Sequence, residues 1–287
     1  MRGLSRKLHY KYHQYMKSRR FVPEVKRDTF LVAFPRSGST WISCIATELM
    51  FGTSPRNIQN VTSFVPDVHD LPVESRVPDA PSYLVKSHLP RREPLPAGEY
   101  RRVIYLIRDP RDALLSYHRY VTARYQYTGN LRNFVVDTLC GRTWPCSWQE
   151  HVNSWLGPRD DSAPLKLNFL RYEDFIEDPV SATTQLADLL DLNVSRGQIA
   201  DAIAASSPAK MREKENYDPV FPRSPLRFIG PATAGSWKAR AVGADVEIFD
   251  LIQEYAGPTM ARFGYGTPVA SIHHAAQLAT LHAGDRL

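Results

Sequence analysis

The chain has 287 residues, 43% of them hydrophobic and 23% charged, with a formal net charge of +6. That length and apolar content allow a substantial buried core and argue against a disordered or low-complexity protein. Cys44, Cys140 and Cys146 are too few for a disulfide framework and lack CxxC or CxxH spacing, and no histidine cluster has metal-ligand form, so no disulfide scaffold and no required metal are expected.

The basic charge is concentrated at one end. Residues 1–27 hold nine Lys or Arg against one acid, Glu24, so the remaining body carries a slight negative excess and nucleic-acid binding by the body is not expected. Leu4, Leu8, Tyr12 and Tyr15 fall at helical spacing in this arm, which suits an anionic membrane surface, an acidic partner or packing on the body. No apolar run reaches the length of a signal-peptide core or a membrane-spanning helix, and with its few cysteines the chain is expected in the reducing cytoplasm.

FLVAFPRSGSTW, residues 30–41, reads as a buried strand, a tight turn and the start of a helix running through Met50. Backbone amides at such a turn, together with the helix dipole and the charge of Arg36, make an anion site. It lacks the first glycine and the lysine of GxxxxGK[ST], which disfavours an ordinary ATP or GTP loop. Residues 51–83 are irregular. A strand-like run spans Ser82 to Lys86, and VIYLIRDPRDALLSYHRY, residues 103–120, repeats the order of strand, charged turn and helix. Arg108 stands at that strand's exit and Ser116 about two turns into the helix, so both can reach one phosphate. Residues 125–145 again look irregular, and Phe64, Val65, Tyr125, Tyr127 and Trp144 are candidates either for an apolar acceptor pocket or for the core. A fourth strand-like run covers Leu165 to Arg171. Strands alternating with helices favour a parallel sheet with ligands at the strand ends.

Six segments together resemble the sulfotransferases that use 3′-phosphoadenosine 5′-phosphosulfate (PAPS) as sulfuryl donor. FPRSGSTW resembles their 5′-phosphosulfate loop, KSHLP (86–90) their catalytic-histidine segment, and RDPRDALLS their 3′-phosphate motif. RYEDF (171–175) resembles their tyrosine-containing adenosine contact, SSPAKM (206–211) a nucleotide-side segment, and AGSWK (234–238) the end of a late glycine-rich motif.

The resemblance implies a three-layer, P-loop-like α/β fold with a central parallel sheet flanked by helices, in a single domain over residues 28–267 between the basic arm and a tail at 268–287. It implies that Arg36, Ser37, Gly38, Ser39 and Thr40 hold the 5′-phosphosulfate and that Trp41 stacks on adenine. Arg108 and Ser116 would hold the 3′-phosphate, while Tyr172, Ser206, Ser207 and Gly235 would contact the nucleotide. His88 would be the general base, Lys86 would stabilise the transferring group, and Arg36, which keeps its proton, would bind the leaving phosphate. The residues alone leave other roles open: core packing for Trp41 and Tyr172, a structural hydrogen bond for His88, a helix boundary before Pro208 for Ser206 and Ser207, and a cap or pair in the first turn of its own helix for Asp112.

Two departures stand out. The arginine, lysine and glycine of the family's RKGxxG fall on Gly230, Pro231 and Ala232, so the late cation is absent, leaving Arg108, Arg223, Arg227, Lys238 or Arg240 to serve. KARAVGADVE (238–247) does not resemble the KxxxTVxxxE dimer motif, so that dimer is not expected. The expected activity is in-line transfer of a sulfuryl group from PAPS to a hydroxyl or amine on a small-molecule, carbohydrate or lipid acceptor, with adenosine 3′,5′-bisphosphate as product. The alternatives are a nucleotide-dependent phosphotransferase and a catalytically silent nucleotide-binding or membrane-peripheral protein.

Overall fold

Alternation along four strands divides the core between two faces of one sheet. In the computed structural model, which describes residues 28–68, 83–91, 102–158, 165–217, 229–230, 233–241 and 245–266, strands β1 (Asp28–Ala33), β2 (Tyr83–Ser87), β3 (Arg102–Ile107) and β4 (Lys166–Arg171) lie in the order β2-β1-β3-β4, all parallel. The basic arm and the tail after 267 lie outside the described residues. β1 is buried along its whole length, as expected of a central strand covered on both faces.

Phe30, Val32, Val103, Tyr105 and Ile107 point to one face, against helices α3 (Pro110–Tyr125), α4 (Leu131–Leu139), α5 (Trp148–Leu156) and α10 (Val246–Arg262). Leu31, Ala33, Ile104, Leu106 and Leu170 point to the other, against α1 (Ser39–Phe51), α7 (Pro179–Leu189) and α8 (Arg196–Ala205). The period of two in the strands thus produces the three layers. Shorter α2 (Val61–Phe64) and α6 (Asp174–Glu177), together with α9 (Pro208–Asn216) and a 3₁₀ turn at Ser236–Ala239, complete the described elements.

The strand order places a switch point between β1 and β3. From β1 the chain passes through α1 toward β2, and from β3 through α3 toward β4, so the turns after β1 and β3 diverge and open a crevice at the carboxyl ends of the strands. Both phosphate-like segments read from the sequence meet there.

Two local expectations are corrected and one open alternative is narrowed. Residues 125–145 are not irregular throughout: Asn130 accepts the Asn133 amide at 2.9 Å as an N-cap, and Leu131, Phe134, Val135, Thr138 and Leu139 form the buried face of α4. Of the residues left open between an acceptor pocket and the core, several pack against core neighbours. Val65 is buried in the core, Phe64 packs on Phe51 with ring centroids 5.5 Å apart, and Tyr127 packs on Phe134 at 5.7 Å. Asp112 does not cap its own helix; Asp109 does, accepting the Arg111 amide at 2.9 Å.

Gly38 combines a left-handed backbone with a close steric approach. Its φ of +100° is left-handed, and a Cβ there would lie 2.5 Å from Cδ2 of Tyr172. Gly38→Ala is expected to cost about 2 kcal/mol or more, from backbone strain plus displacement of that ring. Urea unfolding checks this, and a loss below about 0.5 kcal/mol would remove the steric account.

Candidate active site

The turn after β1 is held by short-range backbone bonds. The Ser37 amide donates to the Phe34 carbonyl at 3.2 Å, and the Trp41 and Ile42 amides both donate to the Gly38 carbonyl, at 2.9 and 3.2 Å, so that α1 begins directly beyond it. Arg36 adopts φ 69°, a left-handed conformation costly for a residue with a side chain and characteristic of sites where the turn itself is used. The Ser37 hydroxyl is buried without a hydrogen-bond partner.

The two arginines predicted at separate phosphates meet. Arg108 Nη1 donates to the Arg36 carbonyl at 3.2 Å, and its guanidinium lies 4.0 Å from the Tyr172 ring centroid. Arg36 Nε donates to Ser116 Oγ at 3.4 Å, and its guanidinium lies 4.7 Å from the Tyr120 ring. Burial lowers the Arg36 pKa to about 10, aided by repulsion from Arg119 and Arg108, which still leaves it charged at neutral pH. Arg108 Nε is buried without a hydrogen-bond partner.

Trp41 and Tyr172 join the site and the core. The Trp41 indole donates to the Ser206 carbonyl at 2.7 Å, and its ring meets Tyr172 edge-on with centroids 5.4 Å apart. The Ser206 hydroxyl is buried and unpartnered, while Ser207 stands at the N-cap of α9 without a side-chain capping bond. Three atoms of the expected nucleotide-site residues, Ser37 Oγ, Ser206 Oγ and Arg108 Nε, are thus buried with unmet hydrogen-bonding capacity. Ser39 and Thr40 stand in the first turn of α1.

The segment RDPRD also fastens distant parts of the chain. Asp112 accepts the Gly235 amide at 2.7 Å, the Ser236 hydroxyl at 2.5 Å and the Trp237 amide at 2.9 Å, so the late glycine segment is fastened to the first turn of α3. Arg111 pairs with Asp109 at 2.7 Å, stacks 3.8 Å from the Trp237 ring and donates to the Tyr265 carbonyl. Gly235 has a left-handed φ of 71°, and its amide is already used by Asp112.

His88 follows β2 at the same end of the sheet. Its Nδ1 lies 2.7 Å from the Ala33 carbonyl, three residues before Arg36. Nδ1–H is therefore the donor, and in the neutral ring the lone pair sits on Nε2. Lys86 forms an ion pair with Asp67 at 2.8 Å, on a segment that hydrogen-bonds alongside β2.

The backbone around His88 is gripped by α5. The Trp144 indole, just before that helix, and His151 Nε2 both donate to the His88 carbonyl, at 3.1 and 3.0 Å, and the Trp155 indole donates to the Leu89 carbonyl at 2.9 Å. The opposite nitrogen of His151 accepts from the Tyr105 hydroxyl at 2.8 Å, and burial keeps that phenol protonated. His151, Tyr105, Arg111 and the anchoring role of Asp112 were missed by sequence reasoning. The findable signal was SWQEHVNSW: Ser147 and Glu150 form a capping box, and Trp148, His151, Val152 and Trp155 lie at helical spacing on the buried face.

Burial lowers the His151 pKa from 6.5 to about 3. Between those values the unfolded chain binds a proton that the native ring refuses, so folded-state stability falls as pH drops below about 6.5, by up to about 1.4 kcal/mol per unit. His151→Gln is expected to flatten the stability profile between pH 6 and 4 by that slope in urea titrations. Equal slopes for both proteins would reject a ring held neutral by burial.

Comparison with known proteins agrees with this geometry. Residues 26–264 match the family model described as the sulfotransferase domain. Sulfotransferase 2A1 of Rattus norvegicus is 28% identical over 244 residues, covering 78% of this chain and 82% of the relative, and a 3-beta-hydroxysteroid sulfotransferase of Cavia porcellus is 28% identical over 246 residues, covering 79% and 82%. Among solved structures, retinol dehydratase in complex with androsterone and the inactive cofactor PAP superposes with a TM-score of 0.66 at 21% identity, covering 89% of this chain and 88% of that one. A mouse sulfotransferase complexed with PAP superposes with a TM-score of 0.64 at 20% identity, covering 85% and 89%. With the family model spanning most of its length and the fold shared across the same region, this chain belongs to the sulfotransferase family.

Proposed function

We propose that this protein transfers a sulfuryl group from PAPS to the hydroxyl of a small apolar molecule, with His88 as general base. The observation that carries the reading is the hydrogen bond from His88 Nδ1 to the Ala33 carbonyl, which joins the base to the strand whose exit forms the phosphate-binding turn. The relatives support the acceptor class, since they include a hydroxysteroid sulfotransferase and a structure holding androsterone.

PAPS, when bound, supplies the sulfuryl group and an adenosine bisphosphate leaving group. Arg36 keeps its charge and binds the 5′-phosphate end together with Ser37, Gly38, Ser39 and Thr40, where the helix dipole of α1 adds to the attraction. Arg108 and Ser116 hold the 3′-phosphate, and Trp41, Tyr172, Ser206, Ser207 and Gly235 enclose the nucleoside. Lys86, whose charge is offset by Asp67 at 2.8 Å, reaches the transferring group only by leaving that pair. His88 Nε2 takes the acceptor proton as the oxygen attacks; the carbonyl bond at Nδ1 keeps the required tautomer, and the grip of α5 limits where the ring can move. Loose in-line transfers of this kind depend on such positioning and charge stabilisation.

With purified protein, labelled PAPS and a panel of hydroxysteroid acceptors, His88→Ala should lower kcat by about 10²- to 10⁴-fold while calorimetric affinity for adenosine 3′,5′-bisphosphate stays unchanged. Transfer that survives the substitution would remove His88 from the mechanism. ATP binding as tight as bisphosphate binding would favour a phosphotransferase instead.

A further inference from the structure

We propose that Arg119 supplies a second guanidinium for the 3′-phosphate of the bound nucleotide, delivered from α3 in place of a cation on the late segment. This rests on the PAPS reading above.

Placement is the first argument. Arg119 lies three residues after Ser116 on α3 and so shares its helix face. Its Nη2 lies 2.5 Å from where a Cβ at Gly230 would stand, and its Cζ 3.4 Å away, so the guanidinium lies directly against the Gly230 backbone. Gly230 is the position at which the resemblance leads one to expect an arginine. The cation has not vanished from this corner of the crevice; it arrives from the opposite wall. Gly230 is not among the glycines with left-handed φ, so its small size there serves the close approach of Arg119 and no special backbone conformation.

Charge is the second argument. Arg36, Arg108 and Arg119 are close enough to repel one another: the Arg119 pKa is lowered by burial and then by Arg108, and that of Arg36 by burial with contributions from Arg119 and Arg108. The carboxylate that opposes this on Arg119 is Glu215, which is itself buried and accepts the Ile229 amide at 3.3 Å. Asp112, on the same helix, is engaged with Gly235, Ser236 and Trp237. Arg108 also feels the buried Glu173, which accepts from the Asp109 amide and the Tyr265 hydroxyl; three guanidiniums set against these two carboxylates still leave an excess of positive charge that a phosphate dianion offsets, and a planar fork matches phosphate oxygens bidentately. Arg108 Nε, buried and unpartnered in the same cluster, is a second donor in need of an acceptor.

The test compares adenosine 3′,5′-bisphosphate with adenosine 5′-phosphate by calorimetry, since the two differ only in the 3′-phosphate. Wild-type protein should prefer the bisphosphate. Arg119→Ala should weaken bisphosphate binding by about 10- to 100-fold and leave adenosine 5′-phosphate unchanged, which also reports that the variant is folded. Partial recovery of the preference in the double variant R119A/G230R, which returns the cation from the late segment, would support the assignment independently. A wild-type preference that survives intact in Arg119→Ala would overturn the Arg119 role alone, as would equal weakening of both nucleotides. A wild-type protein with no preference would overturn the PAPS reading and the Arg119 role with it.

Discussion

The hydrogen bond between His88 Nδ1 and the Ala33 carbonyl is the constraint that sets where the imidazole stands and which of its nitrogens is left to take a proton. It exists because β1 and β2 pair in parallel, Val32 beside Ser87, so the two strands leave the sheet together and their exits stay within hydrogen-bond reach. One exit becomes the turn at Arg36 and Ser37, proposed above to hold phosphate, and the other carries the imidazole. The bond costs His88 the use of one nitrogen and in return settles which nitrogen can take a proton. Core residues reinforce it: the carbonyls of His88 and Leu89 accept from Trp144, His151 and Trp155. Such buried polar groups are tolerated because each donor of this network meets an acceptor.

A second constraint is electrostatic. Arg36, Arg108 and Arg119 are brought together at the switch point between β1 and β3, with Tyr120 and Tyr172 supplying ring faces to two of them. Aromatic faces attract cations without neutralising them, so the cluster is held in place while its charge stays available. The arrangement opposes folding through mutual repulsion and favours an anion for the same reason. Site and stability are in tension here, as they are wherever like charges are assembled before the ligand arrives.

Much of this was legible in the sequence. The continuous apolar runs FLVAF and VIYLI anticipated buried strands, and the turns after them anticipated a shared crevice, because local sequence pattern and turn chemistry are short-range properties. Gly38 was legible as a steric requirement, though not that Tyr172 imposes it from across the sheet. Contacts between distant segments were not legible. Asp112 looked like an ordinary first-turn acid and instead fastens the segment 235–237, and His151, which nothing in the sequence reading singled out, supports the backbone of His88. Helix α4 was missed because Asn130 and the interspersed polar residues around it read as loop, whereas Phe134, Val135 and Leu139 find their apolar surface only in the assembled core.

The source of the anchors on His88 has a consequence for design. They come from β1, from α5 and from Trp144, the last of them one of the residues that the sequence left open between an acceptor pocket and the core. The position of the imidazole is therefore tied to the packing of the core, so an engineer who varies the surrounding loops keeps the ring in place by leaving Trp144 and the buried face of α5 alone.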